Sequence, residues 1–186
     1  MKTLLSISIL LILLPLSASA ENLKAVENCL LGAGQSAQVA VLSAQPIADS
    51  AIYYLQQQQK LTPAFASAEL SRGAAISIQC SGREEKALVV SGEFSANYLQ
   101  GFALRYNSAS HELERIDFAE RNRPSWVYLN QSGMAVVFQN IGNESSKKYL
   151  VYQYISGKGQ AEAAYGTNRV PTDSSNIKIT LIDAQQ

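Results

Sequence analysis

The chain has 186 residues, with 15 basic and 15 acidic side chains, one histidine and two cysteines. A balanced charge provides no general field for steering nucleic acid or an anionic membrane surface, which excludes binding that works through bulk charge. The length and a hydrophobic fraction of 47% suit one ordinary domain with a real core.

Residues 1–20 read as a signal peptide. Lys2 supplies the positive start, residues 4–16 form an apolar run broken by Pro15, and Ala18-Ser19-Ala20 offers the small residues that cleavage requires. The run falls short of the roughly 20 residues that span a bilayer as a helix. The mature chain is therefore expected to begin near Glu21, with a net charge of about −1 once Lys2 is removed. It is expected to be periplasmic or secreted, without membrane insertion, with residues 21–186 as a single β-rich domain.

The first third of that domain has a mixed pattern. Leu23, Val26, Leu30 and Leu31 recur at helical spacing before Gly32 and Gly34, which predicts a short amphipathic helix. QVAVLS at 38–43 alternates as a strand. The segment after Pro46, IADSAIYYLQQQQK, fits either state, with helix the favoured reading. Thr62-Pro63 is a capping hydroxyl followed by a proline suited to a first helical turn, and predicts a helix over 63–72.

Cys29 and Cys80 make an even cysteine count in an exported chain, which points to one disulfide closing residues 21–80 into an N-terminal elaboration. The competing reading is a metal or redox pair. Against it, no Cys-x-x-Cys spacing occurs, and the lone His111 has no obvious second ligand.

From residue 75 onward short β-branched and aromatic runs alternate with turn-rich connectors. AISIQC, KALVVSGEF, YLQGFALRY, ELERIDFA, SWVYLN, MAVVFQNI, KYLVYQYIS and IKITLID each read as a strand. The expected fold is mainly β, an antiparallel sandwich or barrel with a short helical N-terminal elaboration. KYLVYQYIS carries large side chains on both faces, which predicts a strand covered on both sides or standing at a contact surface.

Catalytic signals are weak, and no enzyme activity, cofactor or metal is expected. His111 lies in the turn-like SASHELE, away from any nucleophile motif. Glu112 and Glu114 alternate on one predicted strand and are expected to share a solvated face. Arg121-Asn122-Arg123 forms a basic connector next to Trp126, suited either to gripping a carboxylate or to a polar turn beside a buried ring.

Two segments carry a family resemblance. KALVVSGEFSANYLQGFALRYN, followed by ELERIDFAERNRPSWVYLNQSGMAVVFQNIGNESSKKYLVYQYISGKGQ, resembles the periplasmic inhibitors of invertebrate-type lysozyme. The Val-Val-Ser-Gly-Glu-Phe strand and turn at 89–94 matches one element of that family, and the Ser146 to Tyr149 spacing matches its protruding loop. The chain departs from the pattern at Lys147, where a glycine is expected, in the turn at 119–123, and over residues 21–80, which have no counterpart.

The resemblance implies a protein that binds lysozyme, with the invertebrate type as the candidate target. The loop at 142–149 would enter the target cleft, Ser146 and Tyr149 would supply hydroxyl groups, and Lys147 and Lys148 would face the paired carboxylates of a glycosidase site. The alternative is an envelope interaction or assembly module without inhibitory activity, using the aromatic strand Tyr149, Tyr152, Tyr154 and the sheet edges.

Overall fold

A computed structural model describes residues 22–94, 98–139, 146–170 and 176–182. The expected signal peptide, 1–20, and the first part of the expected binding loop, 142–145, lie outside the described residues. The protein is mainly β, built from two antiparallel sheets. In chain order the strands are β1 (Lys24–Leu30), β2 (Gln38–Ser43), β3 (Ala51–Gln57), β4 (Lys60–Pro63), β5 (Arg72–Gly82), β6 (Lys86–Glu93) and β7 (Leu99–Asn107). They continue as β8 (Glu112–Glu120), β9 (Trp126–Asn130), β10 (Gly133–Gln139), β11 (Tyr149–Ile155), β12 (Gly159–Gln160), β13 (Tyr165–Thr167) and β14 (Ile177–Thr180).

The first sheet runs β1-β2-β3-β5-β6-β7-β8, with β4 beside β3. It turns a corner within β5, whose first residues pair with β3 (Ala51 with Gly73) and whose remainder pairs with β6 (Cys80 with Leu88). The corner is a bulge between Ala74 and Ser77, where Ala75 takes a left-handed backbone at φ 50°. Extra residues on one strand bend it and sharpen its twist. The N-terminal leaf therefore folds back over β5–β7, and the Cys29–Cys80 disulfide, with α-carbons 5.5 Å apart, fastens β1 to β5.

Two cores result, one on each face of the central strands. Leu88, Val90, Phe102 and Leu104 pack against Cys29, Val39 and Val41 of the folded-over leaf. The alternate residues Ala87, Val89, Ala103, Ile116 and Phe118 pack against Val127, Leu129, Met134, Val136, Phe138 and Ile179 of the second sheet. Burial on both faces explains the near-continuous apolar run in β6, which alternation alone would not produce.

The helical expectations are corrected. Among the described residues there is no α-helix, only a 3-10 turn at Gln35–Ala37. Residues 24–30 form β1, where a register shift between Ala25 and Glu27 displaces the alternation and mimics helical spacing. Val26 and Leu30 are exposed, while Cys29 and Leu31 are buried. The segment after Pro46 forms β3, held between β2 and its partners β4 and β5.

Pro63 ends β4 rather than starting a helix. The chain then turns around the buried Ser71, whose hydroxyl donates to Ser67 O (2.7 Å) and accepts from Phe65 N (2.8 Å). That turn delivers Phe65 edge-on to Phe94 and Phe102, and tertiary burial of one ring outweighs local capping preference.

The second sheet has the order β12-β11-β10-β9-β14, with β13 on β11. Its inner face closes the second core, and its outer face carries Trp126, Tyr128, Val137, Tyr149 and Val151, partly covered by Val170. β11 is thus packed on both faces, the first of the two alternatives its sequence left open.

Candidate functional site

The β10–β11 hairpin is the element to which the expected target-binding residues belong. Its strands pair without interruption from Gly133–Ile155 to Gln139–Tyr149. Ser146, Lys147 and Lys148 follow the undescribed end of the loop and are exposed. The Lys148 amide donates to Asn168 Oδ1 (3.1 Å), which ties the end of the hairpin to the segment after β13.

Tyr149 is placed differently from the three residues before it. As the first residue of β11 it pairs with Gln139 and Thr167 and is half-buried. Its ring packs edge-on against Trp126, with centroids 5.8 Å apart, and the Lys178 ammonium sits 4.5 Å from the Trp126 ring. The sheet therefore brings Tyr149 to Trp126 and holds its ring in place. Trp126 belongs to this outer aromatic row, not to a buried site beside Arg121-Asn122-Arg123.

The aromatic residues of the rival binding surface divide between two environments. The Tyr152 hydroxyl donates to Glu120 Oε1 (2.6 Å), and its ring packs on Phe118 and Phe138. Burial first, then the bond to and charge of the Glu120 carboxylate, push the Tyr152 phenol well above its ordinary range. Tyr154 packs against the same inner core. Of the three tyrosines only Tyr149 belongs to the outer face.

The remaining sequence candidates have structural partners. His111 is an exposed turn residue at φ 58°, with Nδ1 3.2 Å from the Tyr106 hydroxyl. Glu112 is exposed, but Glu114 is buried, which corrects the expected solvated pair. Register explains the difference: Arg105 stands opposite Glu114 on β7, and its Nε lies 2.5 Å from Glu114 Oε2.

Arg123 likewise grips the fold itself. Its Nη1 donates to the Ser91 carbonyl (2.7 Å) and hydroxyl (2.9 Å), and its Nη2 to the Ala75 carbonyl (2.6 Å) at the β5 corner. Arg115, which no sequence motif singled out, lies 4.2 Å over the Phe102 ring and pairs with Asp117 (2.6 Å). Two glutamine side chains act as short pieces of backbone. Gln160 pairs with both main-chain groups of Asp117 on the edge of β8, and Gln79 with both of Ile182.

Among the described residues no group of three or more His, Cys, Asp or Glu side chains converges as a metal site requires. No helix there is long and apolar enough to cross a membrane. The chain matches no family model, no curated protein and no solved structure.

Proposed function

We propose that this protein is an exported protein-binding domain that inhibits a lysozyme by presenting the end of its β10–β11 hairpin to the enzyme's cleft. The supporting observation is the exposed Ser146-Lys147-Lys148 step, rooted in a strand whose first residue is fixed against Trp126. Two ammonium groups beside a hydroxyl suit a cleft floored by carboxylates, where charge-assisted bonds are stronger than neutral ones. The strands that carry this step are paired up to Gln139 and Tyr149, and an ordered base lowers the entropy cost of binding. The resemblance over residues 86–159 supplies the target class.

The test is a titration of the mature protein against chicken-type, goose-type and invertebrate-type lysozymes, following lysis of bacterial cell walls. Stoichiometric loss of activity with the invertebrate-type enzyme is the expected result. No inhibition of any of the three would remove the proposal.

A second reading, an envelope assembly module, draws on the edge of the first sheet. β1 is its terminal strand and exposes Val26 and Leu30, which suits addition of a strand from another exported protein. Recovery of one non-lysozyme partner from the native envelope, lost when Val26 and Leu30 are replaced by lysine, would decide for it.

A further inference from the structure

The outer face of the second sheet contains a trough of about 410 Å³. Its floor lies toward the opposite end of the hairpin from Ser146, and one wall comes from β13 and the segment after it. Its origin is visible in the register of three adjacent strands. Ala135 on β10 is flanked by Tyr128 on β9 and Gln153 on β11, and Gly133 is flanked by Asn130 and Ile155. Gly133 and Ala135, alternate residues on the outward face of the central strand, thus form a low floor between taller neighbours. Gly133 is confined to that role, because a Cβ there would collide with the Tyr154 carbonyl oxygen.

The walls carry polar groups of several kinds beside the apolar Ile155 and Val170. Thr167 and Arg169 rise on one side and Asn176 on another, with Tyr128, Asn130 and Gln153 below. Asn130 Oδ1 accepts from Ser132 N and Oγ, and Asn130 Nδ2 donates to Asn176 Oδ1 (2.7 Å). Each side-chain amide offers a donor and an acceptor group, and a phenol or hydroxyl can act as either. Among the described residues lining the trough, Arg169 is the only charged one, and no carboxylate lies among them.

We propose that this trough binds a monosaccharide unit carrying a carboxylate, an acidic sugar such as a hexuronate. Its volume lies within the range of about 300–1,000 Å³ typical of small-ligand sites. The amides and the Tyr128 phenol engage ring hydroxyls, which present donors and acceptors in several directions. Arg169 takes the carboxylate through its planar guanidinium fork. One exposed guanidinium, without a glycine-rich cradle of backbone N–H groups, fits a carboxylate better than a phosphate ester.

The test uses the mature, folded chain in an NMR titration with three probes: D-glucuronate, D-glucose, which lacks the carboxylate, and acetate, which lacks the ring. Saturable shifts confined to Tyr128, Ala135, Gln153 and Asn176 are expected with glucuronate. Glucose should bind about tenfold more weakly, the loss of one charge-assisted contact. Arg169→Ala should bring glucuronate to the level of glucose, and Gln153→Leu should weaken both sugars.

The idea is overturned if acetate matches glucuronate, if glucuronate shifts do not saturate, or if neither variant changes the affinity. Lysozyme inhibition should be unchanged in Gln153→Leu, four residues along β11 from Tyr149, so failure at the trough and failure at the hairpin end are separate results.

Discussion

Arg105 and Glu114, opposite each other on β7 and β8 of the first sheet, form an ion pair that faces the second sheet, with Nε 2.5 Å from Oε2 and both residues at most 4% exposed. Ser156 and Asn107 donate to the other carboxylate oxygen (2.6 and 2.8 Å), while Arg105 Nη1 and Nη2 donate to Asn130 O and Ser156 Oγ. The pair is thereby hydrogen-bonded on both sides, as a buried charge requires. It also joins β7 and β8 to the β9–β10 turn and to the end of β11. Removing one partner strands the other, so Glu114→Ala should lower stability by roughly 3–5 kcal/mol, measured by urea unfolding.

The same group sets a pH dependence. Burial by itself would raise the Glu114 carboxyl, but the bonds from Arg105, Ser156 and Asn107 and the Arg105 charge outweigh it and hold the group below its ordinary value of 4.5. A depressed folded-state value contributes stability above the unfolded value, and that stability is lost as pH falls through the folded one. The urea midpoint should therefore drop on acidification below about pH 4.5, and Glu114→Gln should flatten the drop. A wild-type and a variant curve of equal slope would contradict this assignment.

The Cys29–Cys80 bond spans 51 residues and closes the leaf over the first core. The chain-entropy model gives about 4 kcal/mol for a loop of this size. Replacing both cysteines by serine should lower stability by that order. In hydrogen exchange, β1–β4 should lose protection ahead of β6–β10, because the core between the two sheets does not include the leaf.

Strand content was legible because Val, Ile and Tyr recur at period two between turn residues, and β2 coincides with the QVAVLS run. The N-terminal leaf was not, because the bulge in β1 shifts its alternation and Phe65 packs on partners 29 and 37 residues away, Phe94 and Phe102. Glu114 was read as solvated since its partner stands across a hairpin. An arginine within the apolar stretch of YLQGFALRY was the available signal. For Arg123 the sequence offered a carboxylate grip or a polar turn, and the carbonyls it does grip belong to the β5 corner and to β6, distant in the chain.

Arg123 offers its own test. Three donations from one guanidinium to Ala75 and Ser91 fix the start of the second sheet against the corner of the first. Bonds from a charged group are each worth about 1.5–3 kcal/mol, so Arg123→Met, which keeps much of the stem, should still lower the unfolding midpoint clearly. An unchanged midpoint would show that the corner holds without it.

Tyr149 separates packing from recognition. Its ring meets Trp126 across β10, since Val137 pairs with Trp126 and Gln139 with Tyr149. An edge-to-face contact adds about 0.5–1.5 kcal/mol beyond its buried area, so Tyr149→Ala should destabilise the fold and shift Trp126 fluorescence. Tyr149→Phe keeps the ring and should leave both nearly unchanged. If the hydroxyl also engages a lysozyme cleft, Tyr149→Phe combined with Ser146→Ala should weaken inhibition at least about tenfold, or 1.4 kcal/mol, in a protein of normal stability. Equal inhibition by that folded double variant would leave Tyr149 a structural residue and place any recognition on Lys147, Lys148 or elsewhere.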